Sequence, residues 1–375
     1  MMDQIKINLP TIEISDEFVS PTEYLRLIVT QQAEHLGLLD GENADAYRKR
    51  IECEISIFEQ CNAIDYLLRV WDFLLTCEIL PDLTIRRSMA SASLVCYLLD
   101  ITKFDPVKYG LMFSRFLTDH ATSIPSFEFS IGEDLFELRC GLSELGYTIN
   151  RRGDENENNS ISLHKSHPAT LIEKTLDYIH RNNGLRILPN DFPLDDAATF
   201  NMLNHAHTDG ISHLQGNEIA QTLFELRPAH FEELIPLCAM NCVGVEKALC
   251  DYCHIVRHKN SLWWERELHN PPIVIYQEQI MLMALARGFK DFEADQIRKY
   301  IGKKQIDKLS VYRQRWIEAS DVKSWDLVVN SGLYAFPKAY AIVMAHQAYT
   351  CAYLKTHFLE EYTRAAMYVA ASGTL

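Results

Sequence analysis

Apolar and polar positions follow two different periods along the chain. Residues 126–131 alternate strictly between the two classes, which predicts a strand with one face in a core. Residues 147–150 and 160–164 predict two further short strands, and residues 151–159 between them have no apolar side chain and predict a solvated loop. From Pro168 onward the spacing is helical almost throughout.

Helical signals also dominate the first hundred residues. Ser20 followed by Pro21 and Glu23 is a strong helix start, because the hydroxyl can cap the first amides and Glu23 can bond back. Residues 47–75 have the spacing of one or two amphipathic helices, and residues 90–99 that of a buried helix. These patterns predict an α+β fold that is mostly helical and has a small sheet.

Composition and charge narrow the class of protein. The 375 residues are 47% hydrophobic and 23% charged, which is typical of a globular protein with one or two domains. A net charge of −15 argues against a surface that binds nucleic acid everywhere. The apolar stretch 339–354 is too short and too polar to span a membrane, and the N-terminus has no apolar signal core. We therefore expect a cytoplasmic protein with reduced cysteines and no membrane partner.

Basic residues are concentrated in one stretch of an otherwise acidic chain. Residues 1–160 hold 14 Lys and Arg against 27 Asp and Glu, whereas residues 287–315 hold nine basic residues against four acids. This stretch predicts weak DNA binding that does not depend on sequence. The alternative, which local charge alone favours, is a helix face whose charges are simply solvated.

Two groups of residues have the chemistry of a metal site. The first could bind zinc and consists of Cys238, Cys242, Cys250, Cys253, His254 and His258. Small apolar cysteines packed into a helical core are the alternative, and the one we favour. The second group is Glu128 with Glu133 and Asp134, for which a solvated polar face is favoured over a single-metal site.

The order of several motifs resembles the palm and fingers of the bacterial DNA polymerase III alpha subunit, a C-family replicative polymerase. The palm segments are YRKRIECEISIFEQCNAIDYLLRVWDFL and SLVCYLLDITKFDPVKYGLMFSRFL. The fingers segments that follow in order are PLDDAATFNMLNHAHTDGISHLQ, IYQEQIM, ADQIRKYIGKK and YAFPKAYAIV. The resemblance implies a small nucleotidyltransferase-like palm sheet followed by a helical fingers domain.

The resemblance also implies a division of the chain into three parts. Residues 1–37 correspond to a connector segment and helix, residues 38–172 to the palm, and residues 173–375 to the fingers. Family members carry a thumb insertion before the third catalytic position. Here that interval is short and contains the loop 151–159, so the palm is expected to lack the thumb and to expose this loop as a hairpin-like tip.

The catalytic positions of the family are altered. Its palm holds two magnesium ions with three Asp residues, and those positions fall on Glu128, Ser130 and Ser162. A serine hydroxyl is a poor substitute for a carboxylate as a magnesium ligand. The family's Gly-rich nucleotide loop corresponds to residues 84–89, where every glycine is replaced and Arg87 alone matches a charged position.

The basic residues of the family's fingers are present in this chain at more positions than its catalytic residues are. The resemblance makes the following residues candidates for nucleotide or DNA binding, together with Arg87: Arg257, Arg298, Lys299, Lys303, Lys304 and Lys338. Four of them, Arg298, Lys299, Lys303 and Lys304, are expected to be exposed helical cations whose replacement leaves the fold nearly unchanged.

Two classes of function follow from these observations. The favoured hypothesis is a catalytically inactive, DNA polymerase III alpha-like protein that acts as a binding or scaffold module in DNA replication or repair, with a replication or repair protein as its partner. It needs no cofactor. The alternative is an active DNA-directed DNA polymerase or nucleotidyltransferase subunit, for which magnesium would be required.

Overall fold

The molecule is described by a computed structural model. It covers residues 4–9, 20–76, 89–121, 124, 127–132, 142–143, 147–150, 160–187, 192–243, 246–259, 273–332 and 334–371. Contacts divide the chain into two compact units. The first comprises residues 1–191 and 358–375, and the second comprises residues 192–357. The connector, palm and fingers boundaries given above stay a prediction.

The first unit combines the sheet with six helices among the described residues. Its strands are β1 (Gln4–Asn8), β2 (Glu128–Ile131), β3 (Thr148–Asn150) and β4 (Ser160–Lys165). Its helices are α1 (Pro21–His35), α2 (Ala44–Gln60), α3 (Ile64–Thr76), α4 (Leu94–Leu98), α5 (His167–Asn183) and α15 (Leu359–Ala371).

The second unit is helical. Its first helices are α6 (Ala197–Asn204), α7 (Asn217–Leu226), α8 (Phe231–Val243) and α9 (Glu246–Lys259). They are followed by α10 (Gln277–Ala286), α11 (Asp291–Gly302), α12 (Ile306–Ala319), α13 (Val322–Ser331) and α14 (Lys338–His357). The prediction of a mostly helical α+β fold with a small sheet is confirmed.

The sheet has the strand order β2-β4-β1-β3. β2 and β4 are parallel, and β1 pairs antiparallel with both β4 and β3. The apolar side chains of Ile7, Phe129, Ile161 and Leu163 are fully buried. They belong to one face of the sheet, because side chains two residues apart, and register partners, share a face.

The strand order corrects one expectation about residues 151–159. These residues would form a hairpin-like tip if β3 and β4 were neighbours, but β1 lies between the two strands. Since β1 is antiparallel to both, β3 and β4 run in the same direction and their connection is a crossover. The segment itself lies outside the described residues.

Helix boundaries follow their capping residues. The Ser20 hydroxyl accepts a hydrogen bond from the Glu23 amide, and Pro21 occupies the first turn of α1, as predicted. The buried helix predicted over residues 90–99 is split. A 3-10 turn precedes Ser93, whose hydroxyl caps the separate helix α4 by accepting from the Cys96 amide.

The longest helix of the second unit, α14, is buried along most of its length. Its Tyr349 hydroxyl donates to the Pro193 carbonyl at 2.6 Å and accepts from the Asp196 amide at 3.0 Å, and burial raises the pKa of Tyr349 to about 12. At the end of α14, His357 pairs with Asp196 at 2.9 Å. No helix within the described ranges is both long and apolar enough to cross a membrane.

Candidate functional site: the polar face of the sheet

Polar side chains line the face of the sheet opposite the apolar core. Glu128 on β2 is the register partner of Ser162 on β4, and Ser162 is in turn the register partner of Lys6 on β1. Two residues along the same strands, Ser130 is the partner of His164. Because register partners share a face, these five side chains lie on one face of the sheet. We call them the polar face.

Three of the five side chains of the polar face are largely shielded from solvent. Ser130, Ser162 and His164 are 4%, 7% and 9% exposed, whereas the Glu128 side chain is 46% exposed. Glu128 Oε2 lies 3.8 Å from His164 Nε2, a separation longer than a hydrogen bond. The carboxylate of Glu128 therefore has an imidazole beside it, and it is the accessible end of the face.

The three positions that the resemblance predicts to be catalytic lie together on this face. Glu128 and Ser162 are adjacent, and Ser130 follows on the same strand as Glu128. The alternation of residues 126–131 is sufficient to place Glu128 and Ser130 together, and the strand pairing adds Ser162. Glu133 and Asp134, the other candidates for a single-metal site, lie outside the described residues.

The polar face does not fit two divalent metal ions. A magnesium ion in a phosphoryl-transfer site is held by one or two carboxylates besides substrate phosphates, and a pair of ions requires several such ligands. In the described part of the face, Glu128 is the one carboxylate. The other members are two serine hydroxyls, the ammonium of Lys6, and the imidazole of His164. The face therefore includes a cationic residue in the same row as its one described carboxylate.

Sequence reasoning missed two members of this face. His164 lies two residues after Ser162, and that spacing within a predicted strand could have placed it beside the site. Lys6 belongs to a strand that was not predicted. The alternation of Ile5 and Ile7 with polar neighbours was its signal, but five residues near a terminus are too short to be distinctive.

One tyrosine ties the two site strands together at their beginnings. The Tyr66 hydroxyl donates to the Ser160 carbonyl at 2.8 Å and accepts from the Phe127 amide at 3.2 Å. Its ring lies 5.8 Å from the ring of Phe127. Tyr66 thus fixes β2 beside β4 from helix α3, and with it the register that brings Glu128 to Ser162.

The predicted nucleotide loop, including Arg87, lies outside the described residues, which resume at Met89. The helix that follows the loop is α4. The backbone amides at the start of this helix are shielded from solvent, because Leu94 and Val95 are fully buried.

A buried carboxylate occupies the start of α4. Glu54 accepts hydrogen bonds from the amides of Leu94 and Val95, each at 3.0 Å, and from the Ser93 hydroxyl at 2.7 Å. Arg50 forms an ion pair with the same carboxylate at 2.5 Å. Burial raises the pKa of the Glu54 carboxyl, while Arg50 and the other donors oppose that shift. The amides at the start of α4, which have no partner within the helix, therefore donate to the carboxylate of Glu54.

In the second unit, Arg298 is not the exposed cation that the sequence suggested. Its side chain is 15% exposed and donates to Asp295 at 2.6 and 3.0 Å and to Gln277 Oε1 at 3.3 Å. Lys299 pairs with the other oxygen of Asp295 at 2.6 Å. Burial tends to raise the pKa of Asp295, but these two cations outweigh burial and lower it. The expectation that Arg298 is an exposed cation is therefore wrong, because this side chain links α11 to the start of α10.

Other arginines of the basic stretch are also used internally. Arg287 lies 4.7 Å over the Trp316 ring, and Arg315 pairs with Glu293 at 3.0 Å. The exposed basic residues of the stretch, apart from Arg315, are Lys290, Lys299, Lys303, Lys304, Lys308 and Arg313. Fewer cations of this stretch are therefore available for contact with phosphates than the number of basic residues in the sequence suggests.

Two of the candidate fingers residues, Lys338 and Arg298, contact residues 276–278. The Lys338 ammonium lies 5.5 Å over the Tyr276 ring, and its backbone amide donates to Glu278 at 2.9 Å. Arg298 contacts Gln277 between them. Arg257 lies elsewhere, since it pairs with Glu225 on α7 at 2.9 Å. The candidates therefore do not form one continuous group.

The six residues of the zinc hypothesis are divided between two helices. Cys238 and Cys242 lie on α8, and Cys250, Cys253 and His254 on α9. Cys238 is buried, which raises the pKa of its thiol, and Cys253 bonds to the Thr222 hydroxyl at 3.6 Å. Within the described residues no three His, Cys, Asp or Glu side chains are placed to hold a metal ion, and the side chain of His258 is not among them.

Comparison with known proteins gives two family matches, one after the other along the chain. Residues 23–134 match the bacterial DNA polymerase III alpha NTPase domain, and residues 168–323 match the bacterial DNA polymerase III alpha subunit finger domain. The two matches together take in more than half of the chain, in the order that the motifs predicted.

Curated relatives extend the similarity to almost the whole chain. DNA polymerase III subunit alpha of Thermotoga maritima is 24% identical over 94% of this chain and 49% of its own length. The same subunit of Staphylococcus aureus strain COL is 23% identical over 93% of this chain and 45% of its own length. The chain thus spans about half the length of the curated relatives that it matches. By both comparisons, it belongs to the bacterial DNA polymerase III alpha family.

Proposed function

We propose that this chain is a catalytically inactive member of its family and acts as a binding or scaffold module in DNA replication or repair. The observation that carries the proposal is the row formed by Glu128, Ser162 and Lys6 across three strands. One carboxylate, one hydroxyl and one ammonium stand at the position where carboxylates would have to converge on metal ions.

Phosphoryl transfer leaves little else for a protein to contribute. Its catalysis consists almost entirely of positioning the reactants and stabilising charge, and the metal ions perform much of both. Neutral hydroxyls at Ser130 and Ser162 cannot balance two divalent cations. A face of this composition therefore supports no templated synthesis.

Binding is then the remaining role, and the second unit is its proposed location. The exposed residues Lys303, Lys304 and Arg313 supply a small cationic surface around the end of α11 and along α12. Few phosphate contacts make binding to DNA weak, independent of sequence and sensitive to salt. A replication or repair protein is the proposed partner, with the first unit serving as scaffold.

The alternative, an active polymerase or nucleotidyltransferase subunit, is favoured by one observation. The three catalytic positions still meet on one face, and Glu128 retains an exposed carboxylate. Fluorescence titration with a labelled deoxynucleoside triphosphate separates the two functions. We expect any affinity to be the same with magnesium, with manganese and with chelator. Metal-dependent binding that the Glu128→Ala variant loses would favour the enzyme.

A further inference from the structure

Lys6 stands in the same row as two of the three altered positions. It is the register partner of Ser162, which is the register partner of Glu128, so the three backbones lie side by side on neighbouring strands. Adjacent strands are about 4.8 Å apart, so one strand separates Lys6 from Glu128 by about 10 Å. A lysine side chain is long enough to place its ammonium over Ser162, between the two outer strands of this row.

The position of Lys6 in the sheet is unusual for a lysine. Lysines on strands commonly guard exposed sheet edges. β1 is hydrogen-bonded on both sides, to β4 and to β3, so Lys6 guards no edge. Its neighbour Ile7 is fully buried on the other face, and Lys6 itself is half-buried. Glu128 is the acid of the same row, about two strand spacings away.

We propose that Lys6 provides a fixed positive charge on the polar face in place of metal ions, so that the face is electrically balanced without a divalent cation. The inference deepens the proposed function and rests on it. It adds that the loss of metal binding has two causes: missing carboxylates at positions 130 and 162, and an ammonium that repels a divalent ion. Coulomb repulsion across about one strand spacing lowers the affinity of such an ion by about tenfold or more.

The inference predicts that returning the missing carboxylates is not enough. In a Ser130→Asp/Ser162→Asp variant, the new carboxylate at position 162 lies directly beside Lys6 and pairs with it. Removing Lys6 as well frees that carboxylate for a metal ion. Lys165 is the matched control, because it lies on the same strand as Ser162 but, three residues away, on the opposite face.

Manganese binding to the full chain, measured by electron paramagnetic resonance, tests the inference. Three variants are compared: Ser130→Asp/Ser162→Asp alone, with Lys6→Ala, and with Lys165→Ala. We expect Lys6→Ala to tighten manganese binding by about tenfold or more over the double variant, and Lys165→Ala to change it less than about twofold. Equal affinity with and without Lys6→Ala overturns the inference, whether both proteins bind manganese or neither does.

A second comparison covers the case in which two buried Asp residues prevent folding. Lys6→Glu in the otherwise unchanged chain places a second carboxylate in the row with Glu128, at a half-buried position. We expect it to create manganese binding that Lys165→Glu does not create, and its failure to do so overturns the inference. DNA synthesis by the parent protein would instead refute the proposed inactivity, and it is measured separately.

Discussion

Glu128 and Ser162 are register partners on the parallel strands β2 and β4, so a carboxylate and a hydroxyl occupy neighbouring points of one sheet face. Their pairing places two of the three predicted catalytic positions side by side. Tyr66 bonds to the backbone of both strands and holds them in this register.

The end of β2 depends on a glycine that tolerates no side chain. Gly132 donates its amide to Glu173 at 2.9 Å, and a Cβ at this position would lie 2.8 Å from the Ala169 carbonyl oxygen. Because backbone must move, we expect Gly132→Ala to lower the free energy of unfolding of the first unit by about 1–3 kcal/mol. Gly41→Ala is the control, since nothing lies within 4 Å of its added carbon. Urea unfolding measures both, and equal stability of the two variants would contradict the packing of α5 on β2.

Arg298 is expected to stabilise the second unit. It is held between Asp295 and Gln277 and is largely buried, so Arg298→Ala should lower the free energy of unfolding by about 1–3 kcal/mol. Lys303→Ala, one turn further along and exposed, should change it by less than about 0.5 kcal/mol. Urea titrations followed by tryptophan fluorescence compare the two. A loss no larger for Arg298 than for Lys303 would mean that its contacts are not formed in solution.

The sequence pattern predicted helices and strands, but it did not predict which charged side chains are buried in the fold. The spacing of Asp295, Arg298 and Lys299 is what an exposed helix face would have. The contact that buries Arg298 comes from Gln277, on another helix. In the same way, alternation identified β2 and β4, but the pairing of Lys6 with Ser162 is a tertiary contact that no local pattern encodes.

A buried histidine should make the second unit sensitive to acid. His346 is 5% exposed and packs edge-on against Phe231, and burial lowers its pKa to about 4. The unfolded chain takes up this proton near pH 6.5. Stability from the neutral imidazole is therefore complete above about pH 6.5 and is lost as the pH falls towards 4, by about 2 kcal/mol between pH 7 and pH 5.

The His346→Gln variant removes this titration. It should lose less stability than the parent between pH 7 and pH 5, by about 2 kcal/mol. His207→Gln, which replaces an exposed histidine, should behave as the parent does. Urea unfolding at the two pH values provides the measurement. Parallel losses in the parent and in the His346 variant would show that this side chain is accessible to protons in the folded protein.

DNA binding by the second unit is expected to depend on three exposed cations. A Lys303→Ala/Lys304→Ala/Arg313→Ala variant should lose most of its affinity for a labelled duplex, because phosphate contacts and counterion release supply the binding. Fluorescence anisotropy at about 50 mM and about 200 mM salt should also show the parent weakening steeply.

The control for this prediction removes the same charge from elsewhere. It is Lys49→Ala/Arg186→Ala/Lys323→Ala, three exposed cations outside the stretch. Equal weakening in both triple variants would indicate a general effect of net charge. If the parent does not bind at low salt either, the DNA-binding role is excluded and the protein-partner role remains.

Primer extension decides whether the chain is catalytically inactive. The purified chain, in excess over a labelled primed template, is incubated with all four deoxynucleoside triphosphates and either magnesium or manganese, beside its Glu128→Ala variant. We expect no extension by the parent above the level of that variant, because the face with Glu128, Ser130 and Ser162 cannot hold two metal ions. Metal-dependent extension that the Glu128→Ala variant abolishes would contradict it.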